Sequence, residues 1–319
     1  MKRNILLLLI AIAIIGSCRQ SVKANASAES KRCAEHVTLA DPFIMLYNDT
    51  YYAYGTYSDN GIAVFTSENL ESWKKEPALA LDKKDSYGEK WFWAPEVYYI
   101  NGKFYMYYSA EEHICAAVSD FPIGPFVQLE QKPIIENEKC IDNTLFIDDN
   151  GKAYMFFCRF NDGLNVWVAE MNDDFLSIKH ETMQPCIHTS QPWEQVWPRV
   201  NEGPFVIKHD GTYYMTYSAN SFESQYYGIG CAVSSDIMGP WEKYEHNPLL
   251  QKPKELLGTG HQCIFKDKQG NLRLAFHSHK DQGNIHPREM HITDVGFKTI
   301  KGEKILYIDD DYMTPVLKK

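Results

Sequence analysis

A polar turn followed by an aromatic run recurs five times along this chain of 319 residues. The aromatic runs begin at Tyr51, Phe104, Tyr154, Tyr213 and Leu272, so successive copies are separated by 53, 50, 59 and 59 residues. A tight turn that leads into strand-forming residues is typical of a β-hairpin. A repeat of this length constrains the fold strongly, because each unit has to bury its apolar face against the next unit.

The length and composition of the repeat indicate how its copies are arranged. Short strands in units of this length predict one four-stranded sheet per unit, with the sheets placed radially around a channel. Five units predict an all-β, five-bladed β-propeller. A β-sandwich also consists of short strands, but it does not explain a recurring unit this long. We therefore expect a single propeller domain over residues 34–319.

One further strand precedes each hairpin, and each of these strands begins with a polar residue. The five residues are Asp41, Glu96, Asp142, Glu202 and His261. In a propeller the inner strands start at one mouth of the channel, so we expect four carboxyl groups and one imidazole in a small pocket. Gathering like charges is unfavourable for stability, so sequences keep such clusters mainly where chemistry or a cation uses them. The cluster is therefore typical of a functional site. Paired carboxyl groups held in different protonation states are what the hydrolysis of glycosidic bonds requires.

Five motifs around these residues resemble glycoside hydrolase family 43, and they occur in the family's order. The motifs are "ADP" at 40–42, "WAPEV" at 93–97, "IDNTLF" at 141–146, "NEGPFVIKHDGTYYMTYSA" at 201–219 and "GTGHQ" at 258–262. The family contains five-bladed propeller enzymes that remove arabinose, xylose or galactose units from plant polysaccharides with inversion. The resemblance implies that Asp41 is the general base, Glu202 the general acid and Asp142 the residue that tunes and orients the acid. Glu96 has no catalytic role in this pattern, and we interpret it as a supporting polar residue.

Four further residues are candidates for binding, each with a plainer alternative. Trp93 is a candidate stacking platform for a sugar or a core residue, and Trp197 lies in a loop that either overhangs the site or packs against it. Arg288 corresponds to an arginine that donates to a sugar hydroxyl, or else it forms a surface salt bridge. The resemblance also implies a structural calcium or other cation in the channel, with His261 as its ligand unless that histidine is structural. No organic cofactor is expected.

The N-terminus has the features of a bacterial export signal. Two cationic residues, an apolar run and small residues precede Cys18, which predicts a lipoprotein signal peptide over residues 1–17 and a lipid on Cys18. A plain signal peptide or a short membrane anchor shares the apolar run. Residues 18–33 are small and polar and are interpreted as a flexible tether. The predicted location is the bacterial cell envelope, on its periplasmic or outer-membrane face.

The net charge limits the possible partners further. The formal net charge of −10 argues against nucleic acid or an anionic membrane surface as the main partner, so membrane contact is expected only through the lipid. The expected partner is a plant polysaccharide or oligosaccharide.

Cys115, Cys158 and Cys231 lie in apolar strand patterns and are expected to be buried core residues.

The predicted activity is removal of terminal arabinofuranosyl or xylosyl units by an inverting glycosidase. An endo-acting arabinanase with an open groove and a non-catalytic carbohydrate-binding propeller are the alternatives. Three carboxyl groups that repel one another argue against a pure binding module. A retaining fructan-type propeller is disfavoured, because Asn143 and Thr144 follow Asp142 where an arginine-aspartate-proline motif would be expected. The sequence leaves the sugar, the linkage and the choice between exo and endo action open.

Overall fold

The computed structural model describes residues 35–196, 199–300 and 302–318. The chain divides into two units at His36 and Val37, and the second of them contains all the strands described below. The predicted signal peptide, the lipidated Cys18 and most of the predicted tether lie outside the described residues. Within the described ranges no helix combines the length and apolar character needed to cross a membrane.

The second unit contains five separate antiparallel sheets, one for each sequence repeat. Blade 1 contains β1 (Ala40–Tyr47), β2 (Thr50–Ser58), β3 (Gly61–Ser67) and β4 (Ser72–Lys75), with β5 (Leu81–Asp82) paired to β3. Blade 2 contains β6 (Trp93–Ile100), β7 (Lys103–Ala110) and β8 (His113–Ser119). Blade 3 contains β9 (Cys140–Ile147), β10 (Ala153–Phe160), β11 (Leu164–Glu170) and β12 (Gln184–Ile187). Blade 4 contains β13 (Asn201–His209), β14 (Thr212–Ala219), β15 (Gly228–Ser234) and β16 (Glu242–Lys243). Blade 5 contains β17 (Gly260–Lys266), β18 (Leu272–Ser278), β19 (Glu289–Ile300) and β20 (Glu303–Ile308).

The first strands of the five sheets form a closed ring. Strand β1 packs beside β6 and β17, β9 packs beside β6 and β13, and β13 packs beside β17. This arrangement confirms the predicted five-bladed β-propeller. A short last strand, β21 (Val316–Leu317), runs parallel to β4 and pairs with Ser72 and Trp73, so the C-terminal chain joins the outer edge of the first blade.

The aromatic residues of the sequence repeat lie at the junctions between blades. The ring of Phe104 contacts Tyr47 of blade 1 with centroids 5.0 Å apart, and Tyr213 contacts Phe146 of blade 3 at 5.8 Å. Tyr51 contacts Phe265 of blade 5 in the same way at 6.3 Å. Each pair joins the start of a second strand to an inner strand of the preceding blade. In these three blades the aromatic residue recurs in the sequence because it makes the same contact with the preceding blade.

The cysteines predicted to lie in the core do so. Cys115, Cys158 and Cys231 are all buried and make no disulfide bond. Burial raises the pKa of the Cys115 thiol to about 12, which keeps it protonated and unreactive.

Every inner strand begins with the same irregularity in its backbone. One residue near the start of each strand adopts a left-handed conformation, and the pairing with the second strand shifts by one residue there. These residues are Asp41 (φ 50°), Ala94 (φ 44°), Asp142 (φ 55°), Gly203 (φ 54°) and His261 (φ 50°). A β-bulge of this kind redirects a side chain, and here it does so at one end of the channel in all five blades.

This register corrects one of the sequence alignments. Glu96 and Glu202 were placed at the same position as Asp41, but the equivalent residues are Ala94 and Gly203. Glu202 precedes its left-handed residue by one position, and Glu96 follows its own by two. The alignment followed the acidic residue type rather than the spacing, since Asp41, Ala94 and Gly203 each lie ten positions before the aromatic residue of the second strand.

The left-handed residues also connect neighbouring blades. In four blades the backbone nitrogen of this residue lies within hydrogen-bonding distance of a side chain on the second strand of the preceding blade. The four pairs are Ala94 with Thr56 (3.0 Å), Asp142 with Ser109 (3.2 Å), His261 with Ser218 (2.7 Å) and Asp41 with His277 (3.1 Å). In the remaining blade, blade 4, the N–H of Gly203 donates to Oδ2 of Asp142 over 3.2 Å. The mouth of the channel is thus held by a ring of contacts between blades.

Candidate active site

The three predicted catalytic carboxyl groups meet at this mouth of the channel. Asp41, Asp142 and Glu202 are only 7%, 5% and 9% exposed, although each is a charged residue type. His261 lies between two of them, with Nδ1 at 3.3 Å from Oδ1 of Asp41 and 3.9 Å from Oδ2 of Asp142. Buried charged groups of this kind require partners, and the partners of each differ.

Asp41 is surrounded by groups that favour its ionised form. Nη1 of Arg288 lies 2.9 Å from Oδ1, and the hydroxyl of Thr56 donates to Oδ2 over 2.5 Å. Burial by itself raises the pKa of Asp41, but the charge of Arg288, followed by His261 and His277, outweighs it and holds this pKa well below its ordinary value. Asp41 is therefore a carboxylate over the working pH range of most enzymes, as a general base must be.

Glu202 has the opposite environment. Burial, with a smaller contribution from the negative charge of Asp41, raises the pKa of Glu202 to about 7, against the lowering effects of a hydrogen bond from the hydroxyl of Tyr227 to Oε1 and of the charge of Arg288. The side chain can therefore hold a proton near neutral pH. Asp41 and Glu202 lie in one site with pKa values moved in opposite directions, which is the arrangement that separates a base from an acid.

Asp142 lies beside the acid and shares its environment. Its Oδ2 accepts the backbone N–H of Gly203, the residue that follows Glu202. Burial raises the pKa of Asp142 to about 7; His261 lowers it, and Glu202 and Asp41 raise it. The like charge acting on Glu202 is chiefly that of Asp41. The contact of Asp142 with the strand of the acid fits an orienting role, and its role as modulator of the acid stays a prediction.

Glu96 belongs to a separate cluster further along the channel. Tyr98 donates a hydrogen bond to Glu96 and lies 3.3 Å from the hydroxyl of Thr144. Burial raises the pKa of Glu96 to about 8, with hydrogen bonds from Tyr98 and Thr144 opposing this effect. Burial thus favours the neutral form of Glu96, and its interpretation as a supporting polar residue stays a prediction.

Trp93 lies at the same rim of the channel as the carboxyl groups. It is the first residue of β6 and is half-buried, and its ring stacks on that of Trp91 with centroids 5.6 Å apart. The N–H of the next residue, Ala94, donates to Thr56, which in turn donates to Asp41. Stacking of Trp93 on a sugar stays a prediction, and Trp197 lies outside the described residues.

Arg288 and His261 both face the carboxyl groups. The side chain of Arg288 is 9% exposed and forms an ion pair with Asp41, so a surface salt bridge is wrong as its alternative role. Its Nε is buried without a hydrogen-bond partner. Donation from Arg288 to a sugar hydroxyl stays a prediction.

The described residues around His261 do not form a set of ligands suited to the predicted cation. Nδ1 of His261 faces Asp41 and Asp142, as in an ion pair. Over the described ranges, no three or more His, Cys, Asp or Glu side chains form a group suited to a metal ion. We derive no step through a cation, and its presence stays a prediction.

Two residues of this site were not found from the sequence. His277 is fully buried, and its Nε2 lies 3.2 Å from Nη1 of Arg288. Burial, followed by the charge of Arg288, lowers the pKa of His277 to about 3, so the imidazole is neutral. Tyr227 ends the loop between β14 and β15 of blade 4, and blade 5 has a longer loop at the corresponding place, between β18 and β19. An alignment of the second strands would have placed His277 beside Thr56, Ser109 and Ser218, whereas no repeat signal marks Tyr227.

The fold and the opposed carboxyl groups define a glycoside hydrolase. The family model for glycosyl hydrolases family 43 matches residues 36–299, and the chain belongs to this family. The resemblance stated from the motifs is thereby confirmed, together with the inverting hydrolysis that is characteristic of the family.

Several solved structures and curated proteins are similar over most of the chain. The crystal structure of an endo-1,4-β-xylanase from Bacteroides thetaiotaomicron VPI-5482 is 46% identical with a TM-score of 0.85, and the match covers 90% of this chain and 99% of that one. A thermostable family-43 glycoside hydrolase is 34% identical with a TM-score of 0.81, over 89% and 96% of the two chains. The xylosidase/arabinosidase 43A of Humicola insolens is 26% identical, over 82% of this chain and 94% of its own length.

Proposed function

We propose that this protein removes terminal arabinofuranosyl or xylosyl units from plant cell-wall polysaccharides or oligosaccharides. Asp41 acts as the general base, Glu202 as the general acid, and Asp142 orients the acid and tunes its pKa. The observation that carries this proposal is the pair of opposed shifts, with the pKa of Asp41 well below its ordinary value and that of Glu202 raised to about 7.

The proposed reaction is a single displacement. A water molecule attacks the anomeric carbon while Asp41 takes one of its protons, and Glu202 gives its proton to the departing oxygen as the glycosidic bond breaks. Because water enters on the face opposite the leaving group, the configuration at the anomeric carbon inverts. The ion pair with Arg288 keeps Asp41 ready to accept the proton.

The second candidate is an endo-acting enzyme with an open groove. It is supported by the 46% identity to a structure named as an endo-1,4-β-xylanase and by a 25% identical structure of an endo-arabinase from Bacteroides thetaiotaomicron VPI-5482 with a TM-score of 0.68. Both candidates use the same carboxyl groups, so they differ only in which part of the polysaccharide enters the site.

We also propose, from the sequence of residues 1–18 alone, that the enzyme is anchored to the cell envelope by a lipid on Cys18.

A panel of substrates separates these proposals. We expect hydrolysis of aryl α-L-arabinofuranosides or aryl β-xylosides, and release of single sugars from arabino- and xylo-oligosaccharides. Release of longer fragments from debranched arabinan or xylan would favour the endo-acting candidate. Proton NMR of the first-formed product should show the inverted anomer. A purified, folded protein that hydrolyses none of these substrates would contradict the proposed function.

A further inference from the structure

We propose that Tyr227 is a positioning residue for Glu202: its hydroxyl determines which carboxyl oxygen carries the proton that is delivered to the leaving group. This inference rests on the proposed role of Glu202 as general acid. It concerns a residue that lies outside all five sequence motifs and outside the repeat.

The contact between the two side chains is direct and buried. Tyr227 is fully buried, and its hydroxyl donates to Oε1 of Glu202 over 2.7 Å. Burial, followed by the negative charge of Glu202, raises the pKa of Tyr227 well above its ordinary value, so the phenol keeps its proton and remains a donor. Since Oε1 already accepts this hydrogen, the proton of the neutral acid belongs on Oε2.

The same hydrogen bond has a second effect during the reaction. When Glu202 gives up its proton it becomes a carboxylate in a buried site, where an unpaired charge is unfavourable. This charge is shared by both carboxylate oxygens, and the hydroxyl of Tyr227 already donates to one of them, Oε1. A donor placed in advance strengthens its interaction as the charge forms, and it therefore favours the transition state over the ground state.

A glycine in the fifth motif provides the space for this tyrosine. A Cβ atom on Gly260 would lie 2.2 Å from Cε1 and 2.5 Å from Cδ1 of Tyr227, closer than any real contact. The ring could not occupy its place if residue 260 had a side chain. The glycine of "GTGHQ" is thus linked through Tyr227 to the acid, which gives a physical reason for its presence in that motif.

The ring of Tyr227 also contacts His277, a neighbour of the proposed base Asp41. It stacks on His277 with centroids 5.7 Å apart and planes inclined by 16°, and Nδ1 of His277 lies 3.2 Å from Oδ1 of Asp41. Phe222, in the loop that leads to Tyr227, lies under the guanidinium of Arg288 at 4.6 Å. One loop of blade 4 therefore contacts the acid directly and the base through its neighbours.

The first test is Tyr227→Phe, which removes only the hydroxyl and keeps the stacking ring. We expect kcat to fall about 10- to 100-fold on substrates with poor leaving groups, the loss typical of a hydrogen bond to a charged group, with KM little changed. The lost donor had favoured the ionised acid, so the pKa of Glu202 should rise. The limb on which kcat/KM falls with rising pH should then move to higher pH, because the acid stays protonated further into the basic range.

Tyr217→Phe is the matched control. Tyr217 is equally buried, and its hydroxyl donates to Oε1 of Glu194 over 2.7 Å, so the same tyrosine-carboxyl bond is removed elsewhere in blade 4. We expect this control to lower the melting temperature and to leave the pH profile of kcat/KM unchanged. A shift of the profile in both variants would assign the effect to general loosening of blade 4 and overturn the proposal.

A second variant should shift the basic limb of the pH profile in the opposite direction. It keeps the hydroxyl, so the test does not depend on Tyr227→Phe folding correctly. Replacing Tyr227 with 3-fluorotyrosine keeps the ring and the hydroxyl but makes the phenol a stronger donor, so the basic limb should move to lower pH. An unshifted limb in both Tyr227 variants, or a shift in the same direction in both, would overturn the proposal. If the wild-type protein hydrolyses none of the panel substrates, the proposed function fails instead, so the two failures are distinguishable.

Discussion

Glu202→Gln should reduce kcat/KM about 10²- to 10⁴-fold on oligosaccharides and on aryl glycosides with poor leaving groups. Glutamine has nearly the same size as glutamate and can occupy the same buried place, but it has no proton to give to the departing oxygen. Aryl glycosides with very acidic phenols do not require that proton. We therefore expect the loss to shrink steadily as the leaving group becomes more acidic.

The pH profile of this variant provides an independent measurement. In the wild type kcat/KM should fall as the pH rises through about 7, because Glu202 then loses the proton it has to donate. In Glu202→Gln, assayed with an activated aryl glycoside, this limb should disappear. The control is Glu181→Gln, since Glu181 is exposed on the surface and makes no contact with the site. A uniform loss on all leaving groups would contradict the assignment of Glu202 as the acid.

Asp41→Asn should lower kcat/KM by about 10²- to 10⁴-fold on every substrate, irrespective of the leaving group. Asparagine cannot accept the proton of the attacking water, and that step is required whatever group departs. Asparagine tolerates the left-handed conformation of residue 41 at φ 50°, so the backbone of the bulge should be retained. Arg288 would lose its charged partner, and this is expected to cost stability as well.

Asp49→Asn is a matched control for this prediction. Asp49 also has a left-handed backbone, at φ 60°, but it lies exposed in the turn between β1 and β2. We expect its activity to equal that of the wild type. The comparison between the two active-site variants is decisive: dependence on the leaving group in Glu202→Gln and its absence in Asp41→Asn together identify acid and base. The reverse pattern would exchange the two roles.

The fold was predictable because its main determinant is repeated in the sequence. The aromatic residues at the starts of the second strands recur since they make the same contact between blades, as Phe104 does with Tyr47. Repetition allows five weak signals to be read as one strong signal, and the number of blades follows directly.

The site was predictable only in part. The motifs identified Asp41, Asp142 and Glu202, but the acidic residue type wrongly aligned Glu96 with Asp41, whereas Ala94 occupies the equivalent position in the bulge of β6. Tyr227 could not be found, because it lies in a loop outside the sequence motifs and its position depends on the space left by Gly260. Contacts that occur once in a repeat protein leave no periodic signal.

The ring of left-handed residues has a consequence for protein engineering. The backbone places five residues in the same conformation at the mouth of the channel, and three of them, Asp41, Asp142 and His261, carry functional groups. The other two, Ala94 and Gly203, contribute no functional group. Ala94 is the one of these two with a Cβ atom, and its left-handed backbone is of the kind that aspartate and asparagine adopt most readily. The five equivalent positions at the mouth of the channel are therefore the places where the side chains of this site can be exchanged while the fold is kept.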